Sequence, residues 1–264
     1  FYAPVIANPS FSPSVILFGS NKVYRSPDPQ DVLLGGSSWT PVSPVLTTGG
    51  TNFVSAIATF HHRIAGNEVI YTGASDGRVS RSANVNASTT GCPGACTSTW
   101  TTISGASTPT RFVTEIEVYK GDPTGNTAYV TFSGFDAGPP AFPGHVFKTT
   151  NGLSATPTWT NITGNLPDIP VNAIAIDGST VPKTLYVGTD IGVFSSTDEG
   201  TSWTYFNNGH PVVAVFGLDF NAGSGQLVSA THGRGMWELT FTTSLLNDGF
   251  EFGDLFAWTA NNPP

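Results

Sequence analysis

Short apolar runs recur along the whole chain, separated by segments rich in Gly, Asn, Asp and Pro. Some runs are apolar at every position, such as residues 15–18 (Val-Ile-Leu-Phe) and 185–187 (Leu-Tyr-Val). Successive side chains of a strand point to opposite faces, so such runs predict strands in sheets that are covered on both faces. No segment of any length has the apolar spacing of a helix. The pattern therefore predicts an all-β chain.

A repeated dipeptide organises these runs. Trp39, Trp100, Trp159 and Trp203 are each followed by Thr and open a short β-type run. They lie about 45 to 60 residues apart, which suits four-stranded units with loop insertions. Three further runs occur in the same order in each unit, and a fifth set follows the last Trp. The predicted first strands are 4–8, 53–60, 112–119, 171–177 and 212–220, the second strands are 15–19, 69–73, 128–132, 185–188 and 227–230, and the third strands are 23–26, 78–82, 146–149, 193–196 and 236–241.

The turn before the last of these tryptophans has a distinctive sequence. Ser196, Asp198, Gly200 and Trp203 follow the pattern Ser-x-Asp-x-Gly-x-x-Trp. The Ser hydroxyl and the Asp carboxylate accept backbone N–H groups that a tight turn leaves unpaired, Gly adopts a positive φ angle, and Trp covers the hairpin. We predict a structural role for these four residues.

This pattern resembles the Asp-box, or BNR, repeat of sialidase-like and sortilin-like β-propellers. The resemblance covers residues 1–241 and implies a β-propeller of about five four-stranded blades, either closed on itself or the C-terminal part of a larger propeller. It also implies that Asp-boxes lie at the outer edge of the blades, away from the axis. The motif specifies a fold and leaves the activity open, because one fold carries many activities.

Residues 242–264 differ in character from the repeats. The fifth unit lacks an obvious fourth strand, and Trp258-Thr259 in this tail has the dipeptide that opens a fourth strand elsewhere. The tail therefore completes the fifth blade, or it is an appendage, since residues 248–254 (Asp-Gly-Phe-Glu-Phe-Gly-Asp) resemble short C-terminal extensions of some exported bacterial proteins. In the second case a strand from elsewhere must cover the open sheet edge.

The composition indicates where the protein is located and which classes of partner it binds. The 264 residues include 30 Gly, 20 Pro and one Met, and only 11% are charged. We expect a secreted, extracellular or periplasmic protein, and because Phe1 is not Met we expect a removed leader or further upstream sequence. The net charge of −8 argues against nucleic acid as a partner, and no apolar run is long enough for a membrane span.

The two cysteines, Cys92 and Cys96, enclose a Pro-Gly turn that brings their sulfur atoms within bonding range. We expect a local disulfide if the protein is exported, and two free thiols are the alternative. No further Cys or His lies nearby in the sequence, so no metal site is expected there.

In β-propellers, the loops between second and third strands and those between successive units open on one face around the axis. Here these loops carry several charged or titratable residues, which we take as binding-face candidates. They are Asp76, Asp190, His210, His232 and Arg234. The segment 231–235 (Thr-His-Gly-Arg-Gly) is the most unusual of these loops. The alternative for it is a tight turn in which the two glycines relieve strain and the Arg pairs with an acidic neighbour.

Two further candidates lie on the first strand of the third unit. Aligning the first strands places Glu115 and Glu117 where other units have small residues, namely Ala56 and Ala58 or Ala173 and Ala175. Two carboxylates at positions i and i+2 share one strand face. Three roles are open to this pair. Repulsion between the two carboxylates raises the pKa of one of them for acid catalysis, or the pair binds a cation in the channel, or both are hydrated groups that line a wet channel.

No catalytic set is assigned. Sialidases of this superfold have an arginine triad and a Phe/Tyr-Arg-Ile-Pro motif, and the chain contains no Arg-Ile-Pro. We therefore expect an exported, non-catalytic binding or scaffold module for a protein or glycan partner, with no cofactor and no metal. The alternatives are a glycoside hydrolase, sialidase-like or xyloglucanase-like, of which this is a partial chain, and a structural subunit of an extracellular assembly or oligomer.

Overall fold

The computed structural model describes residues 4–8, 15–26, 39–61, 67–86, 98–105, 107–136, 144–206 and 209–239. Within these ranges the chain forms strands in five antiparallel sheets and contains no helix. In each sheet the strands lie side by side in chain order, as in a propeller blade. The predicted all-β propeller fold with about five blades is confirmed.

The strands have the following bounds. Sheet 1 contains β1 (Val5–Asn8), β2 (Val15–Gly19), β3 (Val23–Ser26) and β4 (Thr40–Pro41). Sheet 2 contains β5 (Val54–His61), β6 (Asn67–Ala74), β7 (Val79–Asn86) and β8 (Trp100–Thr102). Sheet 3 contains β9 (Val113–Val118), β10 (Ala128–Phe132), β11 (Val146–Thr149) and β12 (Thr160–Asn161). Sheet 4 contains β13 (Val171–Asp177), β14 (Thr184–Thr189), β15 (Gly192–Ser196) and β16 (Thr204–Tyr205), and sheet 5 contains β17 (Val215–Asn221), β18 (Gln226–Thr231) and β19 (Gly235–Leu239).

Most predicted strands agree with these bounds to within two residues. The main differences are β7, which we predict to end at residue 82 and which continues to Asn86, and β17, which we predict from residue 212 and which begins at Val215. The preceding residues bend instead, with the N–H of Val213 donating to the carbonyl of Pro211. The tail 242–264, with its two alternatives, lies outside the described residues.

The apolar core is divided into clusters that lie between successive sheets. The first strands of sheets 2 to 5 each contribute a Val and, three residues later, an Ile or Leu, and these residues are buried. The second strand of the preceding sheet contributes a large buried residue to the same cluster. These residues are Leu17, Tyr71, Tyr129 and Tyr186. Burial of apolar area between the sheets therefore holds successive blades together.

The first strands of sheets 2 to 5 each contain a β-bulge near their start. In sheets 2 to 5 the pairing of the first and second strands shifts by one residue near the start of the first strand. Such a bulge bends the strand and re-aims the unpaired residue. The Ser55 hydroxyl donates to the carbonyl of Val113 at 2.6 Å, and the Thr114 hydroxyl donates to that of Val171 at 2.6 Å. The bulges thus connect neighbouring inner strands.

A hydrogen bond from three of the four repeated Trp residues joins the sheet of that Trp to the preceding sheet. The indole N–H of Trp100 donates to the carbonyl of Val42 at 2.8 Å. Those of Trp159 and Trp203 donate to the carbonyls of Ile103 and Ile162, each at 2.9 Å. Every acceptor lies three residues after the Trp of its own sheet, so the same link repeats three times. We call it the Trp link.

The Ser196 turn has the geometry expected of a structural element. The Ser196 hydroxyl accepts the N–H of Gly200 at 2.8 Å, and Asp198 accepts the N–H of Ser202 at 2.9 Å and its hydroxyl at 2.6 Å. Gly200 has a φ of 89°, and a side chain there would collide with the backbone of Ile162. Hydrogen bonds from Ser202 and Ser196 lower the pKa of Asp198 to about 2.

Replacing Trp203 by Phe tests the Trp link. The Ile162 carbonyl would stay buried without its donor, so the free energy of unfolding should fall by about 1 to 3 kcal/mol. The matched control is Trp39→Phe, because Trp39 lies in the first sheet, is 36% exposed and packs on Phe18; it should cost less than about 0.5 kcal/mol. Denaturant unfolding followed by circular dichroism measures both. Equal losses in the two variants would show that the link contributes nothing specific.

Replacing Asp198 by Asn tests the turn. Because the folded pKa of Asp198 is about 2, below its ordinary 3.8, its carboxylate stabilises the folded state above pH 3.8 and loses that effect as the pH falls towards 2. The wild-type protein should therefore lose more stability than Asp198→Asn between these two pH values. Parallel acid-limb curves for the two proteins would contradict the assignment.

Candidate functional site

The first strands of the five sheets line a common cavity, which we call the axial channel. A cavity of about 410 Å³ is lined by residues from the first strands of all five sheets, among them Ile6, Ala58, Glu117, Asn172 and Phe216. A second cavity, of about 880 Å³, shares Glu115, Glu117 and Lys120 with the first and is otherwise lined by β13, β17 and the loops that follow β9, β13 and β17. We call this second cavity the channel mouth. It opens towards the loops between first and second strands.

Glu115 and Glu117 line both cavities, as their shared strand face requires. They pair across the sheet with Thr131 and Tyr129. Glu115 is anchored to the next blade, because its Oε2 accepts the N–H of Ile174 at 2.6 Å. Ala56, Ala58, Ala173 and Ala175 at the equivalent positions are buried. The third blade therefore places two carboxyl groups where the second and fourth blades place methyl groups.

The surroundings of these carboxyl groups favour their protonated forms. Burial raises the pKa of Glu115 to about 8, with Glu117 and Asp219 adding to the shift and the Ile174 N–H opposing it. Burial also raises the pKa of Glu117 to about 7, with Lys120 opposing the shift and Asp219 adding to it. Both carboxyl groups therefore lose their protons at a higher pH than an exposed glutamate does.

Two further channel residues, Asp219 and Lys120, are not among the sequence candidates. Asp219 pairs with Val228 in β18 as Glu117 pairs with Tyr129 in β10, so the two carboxylates occupy equivalent positions. Extending the alignment of first strands to the fifth unit would have identified Asp219. In the described ranges no three His, Cys, Asp or Glu side chains are arranged to hold a metal ion.

The loop candidates Asp76 and Asp190 bind their own framework. The Asp76 carboxylate accepts the N–H and hydroxyl of Thr48 at 2.7 and 2.6 Å and the N–H of Arg78 at 3.2 Å. Asp190 accepts the side-chain amide of Asn172 at 2.9 Å. The first contact ties the β6–β7 loop to the loop between β4 and β5, and the second ties the β14–β15 loop to β13 of the same sheet. Neither carboxylate lines the channel mouth.

The remaining loop candidates are dispersed. His210 is buried, its Nε2 lies 2.8 Å from the Ser229 hydroxyl, and burial lowers its pKa. His232 is exposed and packs edge-on against Phe216, with 5.9 Å between ring centroids. Arg234 is exposed, and none of the ion pairs between described residues joins it to an acidic loop. The structure therefore does not assemble these loop residues into one site.

A second group of polar side chains, around His145, is not predicted from the sequence. His145 is buried just before β11, its Nε2 lies 3.0 Å from Asp168, and its Nδ1 faces the carbonyl of Phe132. The N–H of Asp136 and the His145 ring hydrogen-bond to Asp168 and, with the charge of Arg111, hold the pKa of that carboxyl below its ordinary value. No sequence signal marks His145, because a single His beside a Gly-rich loop has no pattern. The contacts fasten two loops together.

Two further expectations from the sequence concern the disulfide and the absence of a membrane span. Cys92 and Cys96 lie outside the described residues, so the disulfide stays a prediction. Among the described residues there is no helix long and apolar enough to cross a membrane.

Replacing Glu115 by Gln tests the buried carboxyl group. Its folded pKa is about 8 against an ordinary 4.5, so stability is fully present below pH 4.5 and is lost as the pH rises towards 8. Glu115→Gln should flatten this decline, and Glu238→Gln on the exposed strand β19 should leave it unchanged. Urea unfolding across this pH window measures the effect. A wild-type decline that persists in full in Glu115→Gln would contradict the burial of this group.

Comparison with known proteins adds no family assignment. No protein-family model and no curated protein matches the chain. Its function is therefore argued from the channel.

Proposed function

We propose that this chain is an exported, non-catalytic β-propeller module of the BNR type that holds a glycan or protein partner. The observation that carries this proposal is the channel mouth, a concave cavity of about 880 Å³ formed by three neighbouring blades. Small-molecule sites in proteins are clefts of about 300 to 1,000 Å³ with a few converging polar groups. The mouth has both properties.

The chemistry of the mouth suits the end of a glycan chain. Glu117 and Asp219 provide carboxyl oxygens, and Lys120 provides an ammonium group. Tyr119 and Phe220, both half-buried, add apolar surface beside them. A sugar presents hydroxyl groups that donate and accept hydrogen bonds, and also C–H faces that pack on aromatic rings. A glycan can therefore use the polar and the apolar parts of this cavity together.

Binding without turnover is favoured by the placement of the two glutamates. A glycoside hydrolase places two carboxyl groups on opposite sides of the scissile bond, about 5 to 10 Å apart. Glu115 and Glu117 share one strand face and therefore one wall of the channel, and Glu115 is held by the N–H of Ile174. Such a pair contacts a ligand from a single side.

A glycoside hydrolase is the second candidate. It is favoured by the raised pKa of Glu117, about 7, which is the range of a general acid at neutral pH. Asp219, from another blade, would be the second carboxyl group of such an enzyme.

A glycan panel assayed for both binding and product release separates the two functions. The binding module predicts a ligand whose affinity falls at least about tenfold in Glu117→Gln and in Asp219→Asn, because each variant loses a hydrogen bond between its carboxyl group and the ligand. Glu238→Gln, outside the channel, is the matched control and should bind as the wild type does. No glycan should be cleaved by the wild-type protein.

Two results would reject the binding module. The first is product release by the wild type that Glu117→Gln abolishes, which would assign a hydrolase. The second is unchanged binding in both channel variants, which would place the partner elsewhere on the molecule.

A further inference from the structure

The loop between β16 and β17 is fastened to sheet 5 by one buried histidine. Among the described residues 209–214 of this loop, only His210 is buried, with 4% exposure, whereas Val212 is 68% exposed. The Nε2 atom of His210 lies 2.8 Å from the hydroxyl of Ser229 in β18. The ring packs edge-on against Trp237 in β19, with 6.1 Å between the ring centroids. The histidine side chain is therefore the main attachment of this segment.

The position of this histidine in the repeat is occupied by leucine in two other units. Seven residues after the repeated Trp, the first and third units have Leu46 and Leu166, which are buried in apolar clusters between successive sheets. Ser229 pairs with Leu218 in β17, and the residue in the same register of sheet 4 is Val187, which packs in the cluster of Leu166. A leucine and a valine at one interface thus correspond to a histidine and a serine at the next. The interface between sheets 4 and 5 therefore contains a titratable group at a position that is apolar between sheets 3 and 4.

The hydrogen bonds of His210 define its neutral form. Its Nδ1 atom is buried and has no hydrogen-bond partner among the described residues. A neutral imidazole has one N–H, and a buried N–H without an acceptor is destabilising, so the proton lies on Nε2 and is donated to the Ser229 hydroxyl. Protonation would add a second N–H, at Nδ1, and a positive charge. The surroundings therefore favour the neutral ring over the imidazolium ion.

No charged group in the described part of the chain compensates for protonation of this ring. The side chains that face it are Ser229 and Trp237, neither of which ionises, and the Trp237 indole N–H donates to the carbonyl of Arg234 at 3.0 Å. None of the ion pairs between described residues includes His210.

These surroundings give the contact a defined dependence on pH. Burial lowers the pKa of His210, and the backbone of Pro211 opposes the shift without providing Nδ1 with a hydrogen-bond partner. Because the folded pKa lies below the ordinary 6.5, the stabilising contact is fully present above pH 6.5. It is lost as the pH falls through the lower, folded value.

We propose that His210 is an acid-sensitive anchor, whose protonation releases segment 209–214 from sheet 5 while the sheets stay folded. The imidazolium ion moves into water, where its charge is hydrated, and the segment moves with it. The packing of sheet 4 on sheet 5 does not depend on this ring, because Val193, Val215 and Leu218 belong to a separate apolar cluster. The release is therefore local, as expected for a segment with few buried side chains. This proposal is independent of the ligand in the channel mouth.

An acid titration of the full chain, followed by nuclear magnetic resonance, tests the anchor. As the pH falls below 6.5, the ring signals of His210 should titrate. The backbone amide signals of Val212 and Val213 should move with the same midpoint towards the positions of an unstructured chain. His232→Gln is the matched control, because His232 is exposed, and this variant should show the same transition as the wild type.

Restoring the apolar pair of the preceding interface removes the titratable group. The double variant His210→Leu with Ser229→Val reproduces the pair formed by Leu166 and Val187. Its segment 209–214 should stay bound to sheet 5 throughout the titration, so the acid transition should be absent.

Three results would overturn the proposal. The first is that the Val212 and Val213 signals of the wild type do not move in acid. The second is that their movement persists in the double variant. The third is that Leu218 and Leu227, within sheet 5, lose their folded signals at the same midpoint, because the acid transition would then be global unfolding.

Discussion

The hydrogen bond from an indole N–H to the backbone of the preceding sheet is the constraint on which the architecture depends. Trp159 and Trp203 reach carbonyl groups that are buried between sheets and that would otherwise have no donor. Apolar contacts alone tolerate sliding, because hydrophobic burial has no direction. A directed hydrogen bond to one carbonyl fixes how each sheet sits on the one before it. The same bond recurs between sheets 1 and 2, 2 and 3, and 3 and 4, so these three pairs of blades share one directed contact.

This fixed offset also determines the channel. With each sheet held at one position, the first strands converge, and residues facing the axis must be small or must find a polar partner. Ala56 and Ala173 are small, and the hydroxyl of Ser55 donates to the next inner strand. Glu115 satisfies the second condition through the N–H of Ile174. The fold therefore accommodates Glu115 and Glu117 in the channel wall. Their burial there raises the pKa of both carboxyl groups.

Most of the fold can be predicted from the sequence because each repeat contains short, recognisable sequence patterns. The Trp-Thr dipeptides and the apolar runs locate the strands, and alignment of those strands identifies Glu115 and Glu117. Relations between loops are not local, which is why His145 and its partner Asp168 could not be predicted. The loop candidates do not come together for the same reason, since Asp76 binds Thr48 in the loop between β4 and β5. The position of a strand residue within its repeat can be predicted from the sequence. The hydrogen-bond partner of a loop side chain depends on the tertiary structure.

The Trp link determines how sheets 2, 3 and 4 each lie on the sheet before them. Exchange of the indole N–H protons with solvent, followed by nuclear magnetic resonance, examines these bonds one by one. The indole protons of Trp159 and Trp203 should exchange slowly, and that of the half-exposed Trp39, in the first sheet, should exchange rapidly. If the three indole protons exchange at the same rate, the tryptophans do not hold the blades in series.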